Sequence, residues 1–111
     1  MRPMLYISGP ITKGDPDHNF RQAADAQKEA MLAGFAVFNP MLSMRLPDAF
    51  AIPYETWIAN DLPWLELADV IWRLPGYSKG ANIECNHAAK HGVPVLHDMT
   101  ELKRFLELWN R

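Results

Sequence analysis

One carboxylate stands out in the stretch from Ala68 to Leu96, ADVIWRLPGYSKGANIECNHAAKHGVPVL. Glu84 falls in the first turn of a short helix expected over Ala81 to His91, directly behind the turn-rich segment Pro75 to Gly80. An ionised carboxylate held in a pocket can be a nucleophile. The ordinary alternative is an acid that only meets the positive end of the helix dipole. A capping box would need Ser, Thr or a similar residue three positions earlier, and Ala81 stands there instead. Asp61 reads either as a helix cap before Leu62-Pro63 or as a second functional acid. Tyr6 reads as a core aromatic near a strand end, with a hydroxyl able to hydrogen-bond a carboxylate.

Other residue types are weaker signals. Glu84, His87 and His91 follow one another at about one helical turn and offer three metal donors. No second carboxylate or cysteine cluster supports them, so solvated or interface histidines and no metal are expected. Trp57, Trp64 and Trp72 read as core or interface residues, although one aromatic in a crevice would suit a nucleobase. His18, Asn19 and Arg21 read as a solvated first helical turn.

These side chains need a scaffold, and the chain supplies alternating elements. Met4 to Ser8 is a short apolar strand ended by Gly9-Pro10. Asp15 caps a helix with Pro16 at its first position, running to about Leu32 and closed by Gly34. Its expected inward positions are Phe20, Ala23, Ala24, Ala30 and Met31. Phe35 to Phe38 is a second strand ended by Asn39-Pro40, and Met41 to Pro53 is a loop placed to cover a pocket. Tyr54 to Leu67 is helical, with Pro63 either kinking it or following the start of a new helix capped by Asn60 or Asp61.

Asp69 to Leu74 and Pro94 to Leu96 are strands flanking the Glu84 helix. Thr100 to Trp109 forms a final amphipathic helix with Leu102, Phe105, Leu106 and Trp109 at helical spacing. The order predicts an α/β, Rossmann-like fold: a flavodoxin-like parallel sheet of four to five strands, first strand central, helices on both faces. Ligands of such sheets bind beyond the carboxyl ends of the strands, so the loops Ser8 to Gly14 and Leu74 to Gly80 should share one crevice. Glu84 should point into it, ionised under the influence of the helix dipole and loop N–H groups.

The 111 residues suit one domain over 1–111, and 49% hydrophobic with 22% charged residues fits a folded protein. A net charge of -2 without basic runs argues against polymeric nucleic acid as a partner. No apolar run is long enough to span a bilayer, no leader pattern is seen, and Cys85 stands alone, so a cytoplasmic setting is expected. Four Trp and six Met are much apolar material for so short a chain, and suit a base-binding pocket or a subunit interface. The first strand ends in SGPITKG rather than G-x-G-x-x-G, and no cofactor is expected.

YISGPI at Tyr6 to Ile11, NDLPWLELADV at Asn60 to Val70, and SKGANIE at Ser78 to Glu84 resemble the nucleoside 2-deoxyribosyltransferase superfamily. The likeness is strongest to short members that hydrolyse the N-glycosidic bond of nucleoside monophosphates and to small relatives frequent in phages. The resemblance implies that Glu84 attacks the anomeric carbon, that Tyr6 orients it, and that Asp61 binds or protonates the departing base. It further implies that Ser78, Gly80 and the backbone of Ser8, Gly9, Pro10 and Ile11 hold the 5′ end of a nucleoside or nucleotide. Lys13 and Lys79 would offset Asp15 and Asp17 if that end carried a phosphate.

Cys85-Asn86-His87 stand where the family usually has a small glycine soon after the nucleophile. A homodimer or larger assembly would complete each site. Two other readings stay open: a nucleotide-binding or sensing module without turnover, and an NAD glycohydrolase.

Overall fold

The computed structural model describes residues 1–111. Four strands, β1 (Met4–Ser8), β2 (Ala36–Phe38), β3 (Val70–Arg73) and β4 (Val95–Leu96), alternate with helices α1 (Pro16–Ala33), α2 (Tyr54–Leu67), α3 (Lys79–Lys90) and α4 (Met99–Trp109). All strand pairs are parallel and the order is β2-β1-β3-β4, so β1 is central as the sequence predicts. Two 3-10 turns, Pro40–Arg45 and Ala49–Ala51, shape the segment between β2 and α2. None of the helices is long and apolar enough to cross a membrane.

The alternation of side chains along β1 divides the molecule into two layers. Leu5 and Ile7 face α1 and α4, in a cluster that includes Ala23, Ala30, Val70, Trp72 and Leu102. Tyr6 faces α2 and α3, with Leu65, Ala68, Ile71 and Ala88. The β1–β3 register pairs Leu5 with Val70, Tyr6 with Ile71, Ile7 with Trp72 and Ser8 with Arg73, so paired residues of the two strands turn to the same layer. Trp72 is buried, whereas Trp64 is exposed and stacks on Phe38 with ring centroids 5.0 Å apart.

Helix ends follow local chemistry. Asp15 accepts hydrogen bonds from the backbone N–H groups of Asp17 and His18, Pro16 takes the first helical position, and Gly34 closes α1 at φ 122°. The inward stripe of α1 is Asn19, Ala23, Ala26 and Ala30, which corrects two expectations. Met31 is 49% exposed, because it lies off that stripe. Asn19 is buried rather than solvated, and its amide donates to the carbonyls of Ile11 (3.1 Å) and Lys13 (2.7 Å). A polar side chain thus fixes the loop after β1 by satisfying two of its carbonyls.

α2 runs unbroken through Pro63, so neither Asn60 nor Asp61 caps a new helix. α3 starts two residues earlier than expected: Ser78 is its N-cap, with Oγ accepting from the Ala81 N–H at 3.0 Å. Glu84 therefore lies in the second turn, not the first, and its carboxylate accepts from Tyr6 and Ser8 rather than from the N–H groups of the helix start.

Candidate active site

Glu84 is only 8% exposed and is held from both sides by β1. The Tyr6 hydroxyl donates to Oε2, and Ser8 Oγ donates to Oε1 at 2.9 Å. Two residues of the same parity on one strand thus meet two oxygens of one carboxylate. Each oxygen keeps a further lone pair. Asp61, buried in the middle of α2, lies behind this group and takes a hydrogen bond from the Asn60 amide at 3.2 Å.

Burial dominates the electrostatics. It raises the Glu84 carboxyl to about 7, against the opposing hydrogen bonds of Tyr6 and Ser8; Asp61 adds to the rise and Arg73 works against it. The expectation of a carboxylate kept ionised by the helix dipole is thereby corrected, because desolvation is the largest effect and the residue sits a turn too deep. Burial also raises Asp61, with Asn60 and Tyr6 opposing. The Tyr6 hydroxyl is pushed far up by burial and by the charges of Glu84 and Asp61, so it stays a proton donor across the physiological range.

Beside Glu84 opens a cavity of about 590 Å³. One wall is the loop after β1, with Gly9, Ile11, Thr12 and Lys13; the opposite wall is Tyr77, Ser78, Lys79, Gly80 and Ala81. Met44, Phe50 and Ile52 from the segment expected to cover a pocket do line it, together with Tyr54, Trp57 and Ile58 of α2. Of the residues singled out from the sequence, Glu84, Gly9, Ile11, Lys13, Ser78, Lys79 and Gly80 line this space. Tyr6, Ser8 and Asp61 stand behind Glu84, and Pro10 is turned toward Gly76.

The two loops approach closely at that point. A Cβ on Gly76 would stand 2.9 Å from Pro10 Cγ, at a φ of 114° that side-chain-bearing residues avoid. Ser78 is engaged as a cap through its lone pair, which leaves its hydroxyl hydrogen to donate elsewhere. Lys13 and Lys79 take part in none of the four ion pairs of the molecule.

The α2 contribution was missed from the sequence. Tyr54, Trp57 and Ile58 are spaced i, i+3 and i+4, so a single helical face carries all three, and that spacing was the available signal. Trp57 also donates from Nε1 to the Ala49 carbonyl at 3.1 Å, which ties the cover to the helix. Glu84 does not group with His87 and His91: it is held by Tyr6 and Ser8, and the histidines meet Glu66 instead.

A four-stranded parallel sheet with β1 central and a crevice at its carboxyl edge defines a Rossmann-like α/β protein. The fold is that of a 2-deoxyribosyltransferase from Bacillus psychrosaccharolyticus, with TM-score 0.65 and 21% identity over 83% of this chain and 69% of that one. It is likewise that of a conserved protein from Enterococcus faecalis V583, with TM-score 0.71 and 19% identity over 86% of this chain. The chain spans 62% of the length of the latter. Within this class, residues 3–97 match the family described as a domain of unknown function (DUF4406), and the chain belongs to that family. None of the curated proteins matches it.

Proposed function

We propose that the protein cleaves or exchanges the N-glycosidic bond of a (deoxy)ribonucleoside or its 5′-monophosphate, with Glu84 as nucleophile. The supporting observation is a buried carboxylate, gripped by Tyr6 and Ser8, on the wall of a cavity large enough for such a ligand. In this reading the ionised Glu84 attacks the anomeric carbon, the carbon–nitrogen bond breaks, and its electron pair leaves with the base. Water or a second base then displaces the carboxylate, with retention at the sugar carbon.

Tyr6 and Ser8 hold the carboxylate in the attacking orientation. Asp61, whose carboxyl is raised by burial, is assigned the binding or protonation of the departing base from its place behind Glu84. Lys13, Lys79, Gly80, the Ser78 hydroxyl and the backbone of Ser8, Gly9, Pro10 and Ile11 receive the 5′ end. The apolar side chains of Phe50, Ile52 and Trp57 receive the base. The proposal takes residues 1–111 as one nucleoside 2-deoxyribosyltransferase-like domain of the short, phage-type branch, acting in the cytoplasm as a homodimer or larger assembly.

The test is to incubate the protein with nucleosides, 5′-monophosphates and NAD and to follow free base by chromatography. Base release is expected from the parent, and Glu84→Gln should lower it by about a thousandfold or more. A slowly turning-over fluorinated nucleoside should add one sugar unit to the mass of the parent and none to the variant. Tight binding of these ligands without base release from any of them would replace this reading with a binding module; release from NAD alone would make it an NAD glycohydrolase.

A further inference from the structure

At the end of α3 remote from the cavity, three donors from two helices converge. His87 and His91 stand one turn apart at the end of α3, and Glu66 reaches them from the end of α2. Glu66 Oε1 lies 2.9 Å from His87 Nε2 and 3.5 Å from His91 Nε2, and the three donor atoms lie within 4.8 Å of one another. Ligands about 2.0 Å from a tetrahedral zinc stand about 3.3 Å from each other. The two oxygen–nitrogen separations bracket that edge length.

The orientation of His91 adds an independent argument. Its Nδ1 lies 3.0 Å from the His87 carbonyl oxygen, which can only accept, so Nδ1 carries a hydrogen. Nε2 is then the ring atom that faces the Glu66 carboxylate, where a proton on the ring or a cation between the two satisfies both atoms. An N–H donated to a backbone carbonyl is also the usual way a metal-bound imidazole is held in orientation. Finally, Glu66 lies in the last turn of α2 and His87 and His91 at the end of α3, so the negative dipole ends of both helices lie near these donors.

We propose that Glu66, His87 and His91 form a binding site for a divalent zinc-like cation that clamps α2 to α3, with water in the fourth position. The side chains are 44%, 24% and 44% exposed, so an ion reaches them from solvent without opening the fold. Two imidazoles and one carboxylate select zinc, nickel or copper over magnesium and calcium. The clamp is separate from the carbon–nitrogen chemistry, because Glu84 is held by Tyr6 and Ser8 nearer the start of α3 and neither histidine lines the cavity.

The proposal is tested with tag-free full-length protein, zinc chloride and a competing chromogenic chelator. One zinc per chain is expected, unchanged in Glu84→Gln and weakened about tenfold or more in each of Glu66→Gln, His87→Ala and His91→Ala. Zinc should also raise the Tm of the parent but not of His91→Ala, while magnesium leaves both unmoved. Each variant lies at the surface, and circular dichroism verifies its fold. Substoichiometric uptake, or uptake undiminished in all three variants, would overturn the proposal and leave an ordinary hydrogen-bonded trio.

Discussion

Leu5 and Ile7 enter a cluster of eleven buried apolar residues beneath α1 and α4, whereas Tyr6 and Ser8, their immediate neighbours, turn toward a buried carboxylate beneath α2 and α3. The apolar cluster on that second side has six members. One strand thus serves two layers of opposite character, and the contrast shows where folding free energy comes from and where it is given up. The first layer gains by removing hydrocarbon from water. The second holds a carboxyl whose ionised form is disfavoured by burial, and it is anchored by the neighbour that needs no such concession.

The largest effect should come from the apolar side. Ile7 is fully buried, and Ile7→Ala should lower stability by about 2–5 kcal/mol in urea denaturation, through lost burial and a residual cavity. A loss below about 1 kcal/mol would break the comparison.

On the polar side, Glu84→Gln should act in the opposite direction. The folded carboxyl titrates near 7, above its ordinary value of 4.5, so between those limits the folded chain binds more protons and stability falls as pH rises. Removing that titration should make the variant more stable than the parent by about 3 kcal/mol at pH 8 and nearly equal to it below pH 4.5. Denaturation at pH 4 and pH 8 measures the difference directly. A parent whose stability does not change across this window would contradict the desolvated environment.

Tyr6→Phe sharpens the contrast at smaller scale. Loss of the hydroxyl removes a hydrogen bond that lowers the Glu84 carboxyl, so the acidic limb of kcat/KM against pH should move to higher pH. Base release at pH 7 should fall about tenfold to a hundredfold, the worth of one hydrogen bond to a charged group. An unmoved limb would remove Tyr6 from its orienting role.

Much of this arrangement was legible in the residues. Period-two alternation in MLYIS places Tyr6 and Ser8 together, and Asp15-Pro16 and Gly34 mark their helix ends through rules that act over a few residues. Ser78 was legible too: a hydroxyl side chain is a better cap than the Gly80 that precedes the expected start, and it moves Glu84 two residues deeper, into the second turn. Asn19 shares the 19, 23, 26, 30 stripe of α1, but its polarity hid an inward position that only the distant carbonyls of Ile11 and Lys13 explain. The raised Glu84 carboxyl and the meeting of Glu66 with two histidines depend on how α2 and α3 pack, and no local pattern encodes that.

The flanking strands of the sheet carry a consequence for association. β2 has three residues and β4 only two, so each margin exposes few unpaired backbone donors and acceptors. Another chain adding itself as a fifth strand would find almost no template there. The short margins thus guard the chain against fibrous stacking, and any contact between copies would rest on side chains rather than on an extended sheet.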